Sequence, residues 1–138
     1  MTDAFSKEEK AAMRAAAAER RRKAGPEEHA AEVLEKIAAM APADRVIAEA
    51  VHKLVLKTAP QLAPKTFYGM PAYALDGKVI CFFQDSGKFK VRYNTLGFQD
   101  SAALDEGDFW PTSYALVKLT PQVEKQIAQL VARAVKRA

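Results

Sequence analysis

The composition of the chain changes near Lys65, and this change limits the possible folds more than any other feature. Residues 1–64 are rich in Ala, Glu, Lys and Arg, which favour helices. Residues 66–138 contain every aromatic side chain except Phe5, together with β-branched residues and an Asp-Gly pair, which favour strands and turns. A chain of 138 residues suffices for one core, so we expect a single α+β domain.

The first 25 residues have the pattern of a helix that buries little. Ser6 and Glu9 have the spacing of a capping box, in which each side chain satisfies a free amide group at the helix start. The apolar residues that follow are Ala, with Met13 the one large side chain before a Gly-Pro pair ends the helix. We expect residues 1–25 to be a dispensable extension and residues 26–138 to form the domain.

Three further helices are expected to begin at Pro26, Pro42 and Pro121, because proline suits the first helical position. After each proline, apolar residues recur every three or four positions, which is the repeat of one helix face. Each stripe predicts a helix that is buried along one side. The main members of the stripes are Val33, Ile37, Val51, Val55, Ile127 and Val131.

The second half of the chain predicts an antiparallel sheet. Asp76-Gly77 is a strong two-residue hairpin turn, and the apolar run 79–83 is typical of a central strand with both faces covered. Helices on such a sheet give a two-layer α+β fold. We expect strands at 72–75, 78–84, 88–93 and 114–119, with a long connection over 94–112.

The strand expected at 88–93 alternates between cations and apolar residues. Because successive side chains of a strand point to opposite faces, we expect Lys88, Lys90 and Arg92 on one solvent face. The formal net charge of the chain is +4. Such a face permits contact with an anion or with nucleic acid but requires neither.

Cys81 is the one cysteine, so no disulfide forms within the chain. Its place in an apolar run predicts a small buried hydrophobe, and the absence of disulfides fits a reducing cytoplasm. Residues 1–10 lack the apolar core of a signal peptide, and no run approaches the ~20 apolar residues of a membrane span. We expect a cytoplasmic protein with no membrane partner.

No catalytic motif is complete. The segment 82–89 ends like a phosphate-binding loop but lacks the first Gly and the Ser/Thr. Neither His29 nor His52 belongs to a helical metal-binding pair, so both are expected to be surface residues. We expect a binding protein rather than an enzyme.

The second half contains a distinctive series of blocks: PKTFYGMPAY at 64–73, KVICFF at 78–83, KFK at 88–90 and YNTLGF at 93–98. In residues and order this series resembles the YdhG-like family, small bacterial proteins of largely unknown function. The resemblance implies a two-layer α+β fold similar to that of frataxin-like proteins. It also implies iron binding and delivery as a hypothesis, since one branch of the family is described as frataxin-like iron chaperones.

Iron held by such a chaperone would need carboxylate oxygens. The first candidates are Asp105, Glu106 and Asp108, which lie close together in the connection that precedes the last expected strand. Their spacing fits no calcium-binding loop. A solvated loop with acids that cap its turns is the alternative interpretation.

Aromatic residues beside Gly and Pro form another set of candidates, because amphipathic rings in loops often line a ligand groove. Neighbouring cations would bind an anionic group of the ligand. A rigid structural turn is the alternative interpretation of 68–73. The expected ligand-binding residues are Lys65, Tyr68, Tyr73, Lys90, Arg92 and Trp110.

Three functions therefore stay open. The first is a small binding protein with a groove for a small ligand or anion, and the second is a carboxylate-based iron chaperone. The third is weak association with nucleic acid through the cations at 20–23 and 88–93. The position of Tyr68 relative to Asp105 discriminates between them, and the sequence is compatible with a monomer or a homodimer.

Overall fold

Three helices precede the first strand along the chain, as the composition predicts. A computed structural model describes residues 5–21 and 25–136, and within them the α+β class is confirmed by five helices and a five-stranded antiparallel sheet. The elements are α1 (Lys7–Arg21), α2 (Pro26–Ala38), α3 (Pro42–Thr58), β1 (Ala63–Phe67), β2 (Met70–Leu75), β3 (Lys78–Gln84), α4 (Ser86–Phe89), β4 (Asn94–Phe98), β5 (Ser113–Leu116) and α5 (Pro121–Ala134).

The strands lie in sequence order, β1-β2-β3-β4-β5, so β3 is central, as its apolar run predicts. The predicted turn at Asp76-Gly77 joins β2 to β3, and the φ angles of 51° and 83° are the left-handed values of a type I′ hairpin. Since each strand is antiparallel to the next, successive connections alternate between the two ends of the sheet. The β1–β2 turn therefore shares an end with the β3–β4 connection, and the β4–β5 connection lies at the other end.

The core lies between one face of the sheet and the helices α2, α3 and α5. All six predicted stripe residues are buried, and they join Tyr73, Cys81, Phe83 and Leu96 of the sheet in one apolar cluster. Full burial of one large apolar side chain contributes roughly 1.5–3 kcal/mol. This cluster is therefore the main source of stability among the described residues.

The prediction of a strand at 88–93 is wrong. Ser86–Phe89 forms the short helix α4, which ends at Lys90 with the left-handed φ of 55°. One cause is local, because Asp85 caps the helix by accepting a hydrogen bond from Lys88 N. The other is tertiary, because the buried Asp44 of α3 accepts hydrogen bonds from Ser86 Oγ and Gly87 N, each at 2.9 Å. These bonds hold the backbone in a helical turn, so the three cations have no common strand face.

Two strands were not expected. β1 occupies a segment that contains Pro64, and β4 begins inside the connection predicted for 94–112. Gly97 weakens the strand pattern of β4, but the ring of Phe82 fills the space that a side chain at 97 would need. β5 is also shorter than the predicted 114–119, because Val117 and Lys118 lie outside the sheet.

The capping box of α1 is confirmed, since Ser6 N donates to Glu9 Oε1 and Glu9 N donates to Ser6 Oγ, each at 3.0 Å. Ala12 and Ala16 are buried, whereas Met13 is exposed. The small buried area was expected, but the attachment through Glu19 to the β1–β2 turn was not. Residues 22 and 23 of the predicted cation run lie outside the described residues.

Deletion of residues 1–23 is expected to leave a cooperative thermal transition, because the core of α2, α3, α5 and the sheet stays intact. The midpoint should fall, since two hydrogen bonds to the Glu19 carboxylate are lost, which costs roughly 1–2 kcal/mol at a partly exposed position. Thermal unfolding followed by circular dichroism measures both. Glu19→Ala in the full chain should reproduce most of the fall, and loss of the transition would show that α1 belongs to the core.

Candidate functional site

The predicted aromatic residues do not meet in one groove. Tyr73 is fully buried in β2, and Tyr68 is exposed in the turn between β1 and β2. Trp110 lies in the β4–β5 connection at the opposite end of the sheet, where it lines a depression of about 240 Å³ with Asp105. Because these connections lie at opposite ends, the expected groove around Tyr68, Tyr73 and Trp110 does not form.

The predicted cations are also dispersed. Lys65 lies half-buried on the edge strand β1, and Arg92 stacks on the ring of Tyr93 with 5.2 Å to its centroid. Lys90 Nζ lies 2.9 Å from Glu8 Oε1, and this hydrogen bond lowers the pKa of Glu8. The charge of Lys90 is therefore already paired with α1.

The predicted iron ligands do not converge. Asp105, Glu106 and Asp108 are all exposed in the β4–β5 connection, and Glu106 Oε2 lies 4.0 Å from Arg133 Nη2 of α5. Within residues 5–21 and 25–136, no three His, Cys, Asp or Glu side chains are placed to hold a metal ion. The geometry of the described residues thus gives the iron hypothesis no support.

His52 of α3 is not the surface residue that we expected. It is half-buried beside the stripe residue Val51, and its Nδ1 lies 2.8 Å from the hydroxyl oxygen of Tyr73. Burial lowers the pKa of His52 and raises the pKa of Tyr73, so both side chains stay neutral near pH 7. The pair satisfies the buried hydroxyl group across the helix–sheet interface.

Cys81 lies opposite Tyr73 in the pairing of β2 with β3. It is fully buried, and burial raises the pKa of its thiol to about 12. The predicted buried hydrophobe is confirmed. A thiol in this state is a poor nucleophile, because the thiolate is the reactive form.

A larger depression lies elsewhere, between the edge strand β5 and α5. It is a groove of about 920 Å³ whose floor contains the buried residues Leu96, Leu116 and Ile127. Half-buried or exposed apolar side chains form its walls. These wall residues are Tyr114, Val117, Val123 and Leu130.

The polar residues of this β5–α5 groove are cations and amides. Lys118 lies where β5 leads into α5, whereas Arg133 and Lys136 lie together at the far end of α5. No Asp, Glu, His or Cys is among the described residues that line the groove. The groove therefore combines an apolar floor with a positive rim.

The sequence contained one signal for this groove that we did not use. Residues 114–117 are all apolar, although β5 is an edge strand. Val117 is 71% exposed, which leaves an apolar side chain beside the groove without cover from the described residues. A continuous apolar run at an edge indicates a second contact surface.

Comparison with protein-family models, with curated proteins and with solved structures finds no match to this chain. The resemblance to the YdhG-like family thus stays a prediction from the residues that suggested it. Among the described helices, none has the length and apolar character needed to cross a membrane.

The His52–Tyr73 pair predicts a pH dependence of stability. Because the pKa of His52 is lower in the folded chain than the 6.5 of an exposed histidine, the unfolded chain binds this proton more tightly. The contribution of neutral His52 to the free energy of unfolding is complete above about pH 6.5 and is lost progressively below it. Thermal midpoints measured between about pH 7.5 and 5.5 should fall as the pH falls.

His52→Gln should flatten this dependence, since glutamine keeps a polar partner for the Tyr73 hydroxyl and does not titrate. His29→Gln is the matched control, and its thermal midpoint should change with pH as it does in the wild-type chain. An unchanged slope in His52→Gln would show that another group causes the pH dependence.

Proposed function

We propose that the protein binds a small amphipathic anion, a carboxylate with an apolar tail, in the β5–α5 groove. The observation that carries the proposal is the apolar floor beneath the cations Lys118, Arg133 and Lys136, with no carboxylate side chain among the described residues of the lining. The volume of about 920 Å³ is in the range of small-molecule sites. The tail would gain from burial, and the cations would favour a negative head group.

The head group is assigned to the end of the groove at Arg133 and Lys136. Arg133 lies in the last turn of α5 and Lys136 follows the end of this helix, and both side chains line the groove. Arg133 can donate two parallel hydrogen bonds to a carboxylate. Glu106 lies 4.0 Å from Arg133 and competes for this cation, so it weakens the binding of an anion there.

The lining supports binding rather than catalysis. Among its described residues, the titratable side chains are Lys118, Arg133, Lys136 and Tyr114, and none has an acid or histidine partner in the lining. General acid–base catalysis favours a group with a pKa near the working pH, most often His, Asp or Glu, and none of these is among the described residues that line the groove. We therefore infer a binding protein and extend the proposal to the cytoplasm, where the free thiol of Cys81 stays reduced.

The other two hypotheses have less support. The candidate iron ligands Asp105, Glu106 and Asp108 do not gather, and the basic face expected at 88–93 is replaced by α4. The YdhG-like, frataxin-like relationship stays part of the proposal, because helices layered on an antiparallel sheet agree with the fold that the resemblance implies. Iron binding and nucleic-acid association stay as alternatives.

Octanoate and 1-octanol are a matched pair of probes, since they share a tail and differ in charge. Octanoate should shift the backbone amide resonances of β5 and α5 in a two-dimensional NMR titration, and 1-octanol should bind more weakly. Arg133→Gln and Lys136→Gln should each weaken octanoate about twofold to fivefold, as expected for exposed charge pairs. Glu106→Gln should strengthen it.

Two variants control this experiment. Lys125→Gln removes an exposed α5 cation outside the groove and should change nothing, whereas Val117→Asp should abolish binding by placing an acid in the wall. Equal affinities for octanoate and 1-octanol would contradict the proposal. A dimer that Val117→Asp dissociates in analytical ultracentrifugation would instead show that a second copy of the chain covers the groove.

A further inference from the structure

The β1–β2 turn holds a carboxylate of the same chain. Tyr68 and Gly69 have left-handed φ angles of 52° and 77°, which turn their amide groups away from the sheet. Tyr68 N donates to Glu19 Oε1 at 2.9 Å, and Gly69 N donates to Glu19 Oε2 at 3.0 Å. Successive amides that each bind one oxygen of an anion form an anion-binding concavity.

Positive charge gathers beside this turn. Lys88 of α4 is half-buried with Nζ 3.5 Å from Gly69 O, and it shares a depression of about 480 Å³ with Lys36 of α2. Burial lowers the pKa of Lys88, and Lys36 lowers it further, whereas Asp85 and Glu19 raise it. Both lysines therefore line the same depression as Gly69, whose amide holds Glu19.

The nearby acids are already used by the backbone. Asp85 accepts a hydrogen bond from Lys88 N at 3.2 Å, and Asp44 accepts from Gly87 N at 2.9 Å. Glu19 is the acid that occupies the amides of the turn themselves. Another carboxylate or a phosphate could take its place without breaking the hydrogen bonds of Asp44 and Asp85 to α4.

The helix that delivers Glu19 is held loosely. Among its described residues, Ala12 and Ala16 are the buried apolar ones, and Met13 is exposed, as is Phe5 just before the helix. The ion pair of Glu8 with Lys90 involves a largely exposed ammonium and is worth little. An element with so few buried contacts opens locally at low free-energy cost.

We propose that the β1–β2 turn is an anion-binding site separate from the β5–α5 groove, and that Glu19 is its intramolecular ligand. An external carboxylate or phosphate binds the amides of Tyr68 and Gly69 when α1 withdraws, with Lys88 and Lys36 as its counter-ions. The apparent affinity for the external anion is then the affinity of the open site multiplied by the fraction of chains in which α1 is withdrawn. The site and the groove lie at opposite edges of the sheet.

The test compares the wild-type full chain with Glu19→Gln, which removes the charge and keeps the size of the side chain. Inorganic phosphate and acetate are titrated at constant ionic strength, so that screening does not vary. The amide resonances of Tyr68 and Gly69 are followed by NMR. Phosphate or acetate should bind Glu19→Gln at least about tenfold more tightly than the wild-type chain.

Two further variants make the result specific. Glu27→Gln makes the same charge change at an exposed position of α2 and should leave the wild-type affinity. Lys88→Met in the Glu19→Gln chain should remove the gain. If Glu19 were merely structural, Glu19→Gln would lower the thermal midpoint without a response of the two amides to either anion.

If neither anion shifts the amide resonances of Tyr68 and Gly69 in Glu19→Gln, the proposal is overturned. An equal gain in anion affinity in Glu27→Gln would also overturn it. A gain for phosphate alone or for acetate alone supports the site and assigns its anion class. None of these outcomes depends on the β5–α5 groove, whose resonances should stay unchanged in the same spectra.

Discussion

Burial of one face of β2, β3 and β4 beneath α2, α3 and α5 is the interaction on which the rest of the structure depends. The buried sheet residues Tyr73, Cys81 and Phe83 and the helix stripes leave water together, and this is the main favourable term for a domain of this size. The same burial requires a partner for the Tyr73 hydroxyl, which His52 supplies across the interface. A tyrosine that the sequence suggested as a ligand contact is thereby a structural residue.

The outer elements are held differently, by carboxylates on backbone amides. Asp44 holds the first turn of α4, and Glu19 holds α1 on the β1–β2 turn. These bonds are directional and few, so they fix position with little buried area. Asp44 is buried and belongs to the fold, whereas the bond of Glu19 to Tyr68 is exposed and can exchange with solvent or with another anion.

The two proposed sites follow from this division. The β5–α5 groove lies where the apolar cluster reaches the edge of the sheet, so its floor is core and its rim is charged. The β1–β2 turn lies at the other edge, where polar contacts attach a helix to exposed backbone. One site would recognise an apolar tail with a negative head, and the other would recognise the negative group alone.

Local patterns were sufficient for much of the fold. The capping box at Ser6, the helix starts at proline, the buried stripes and the Asp76-Gly77 turn depend on neighbours within a few residues, and the structure confirms each of them. The central place of β3 followed from an apolar run that needs cover on both faces. The residues within a few positions of each such feature are therefore sufficient to predict it.

Contacts between distant residues decided the rest. The alternation at 88–93 predicts a strand, but Asp85 caps a helical turn there, and Asp44, more than 40 residues earlier, holds this turn by accepting hydrogen bonds from Ser86 and Gly87. The candidate site changed for the same reason, because antiparallel connections alternate between sheet ends and separate Tyr68 from Trp110. By itself the sequence determined which segments are helices, which turn is tight and which faces are apolar. The tertiary structure alone decided which charges and rings meet, because that depends on pairings between segments that no local pattern encodes.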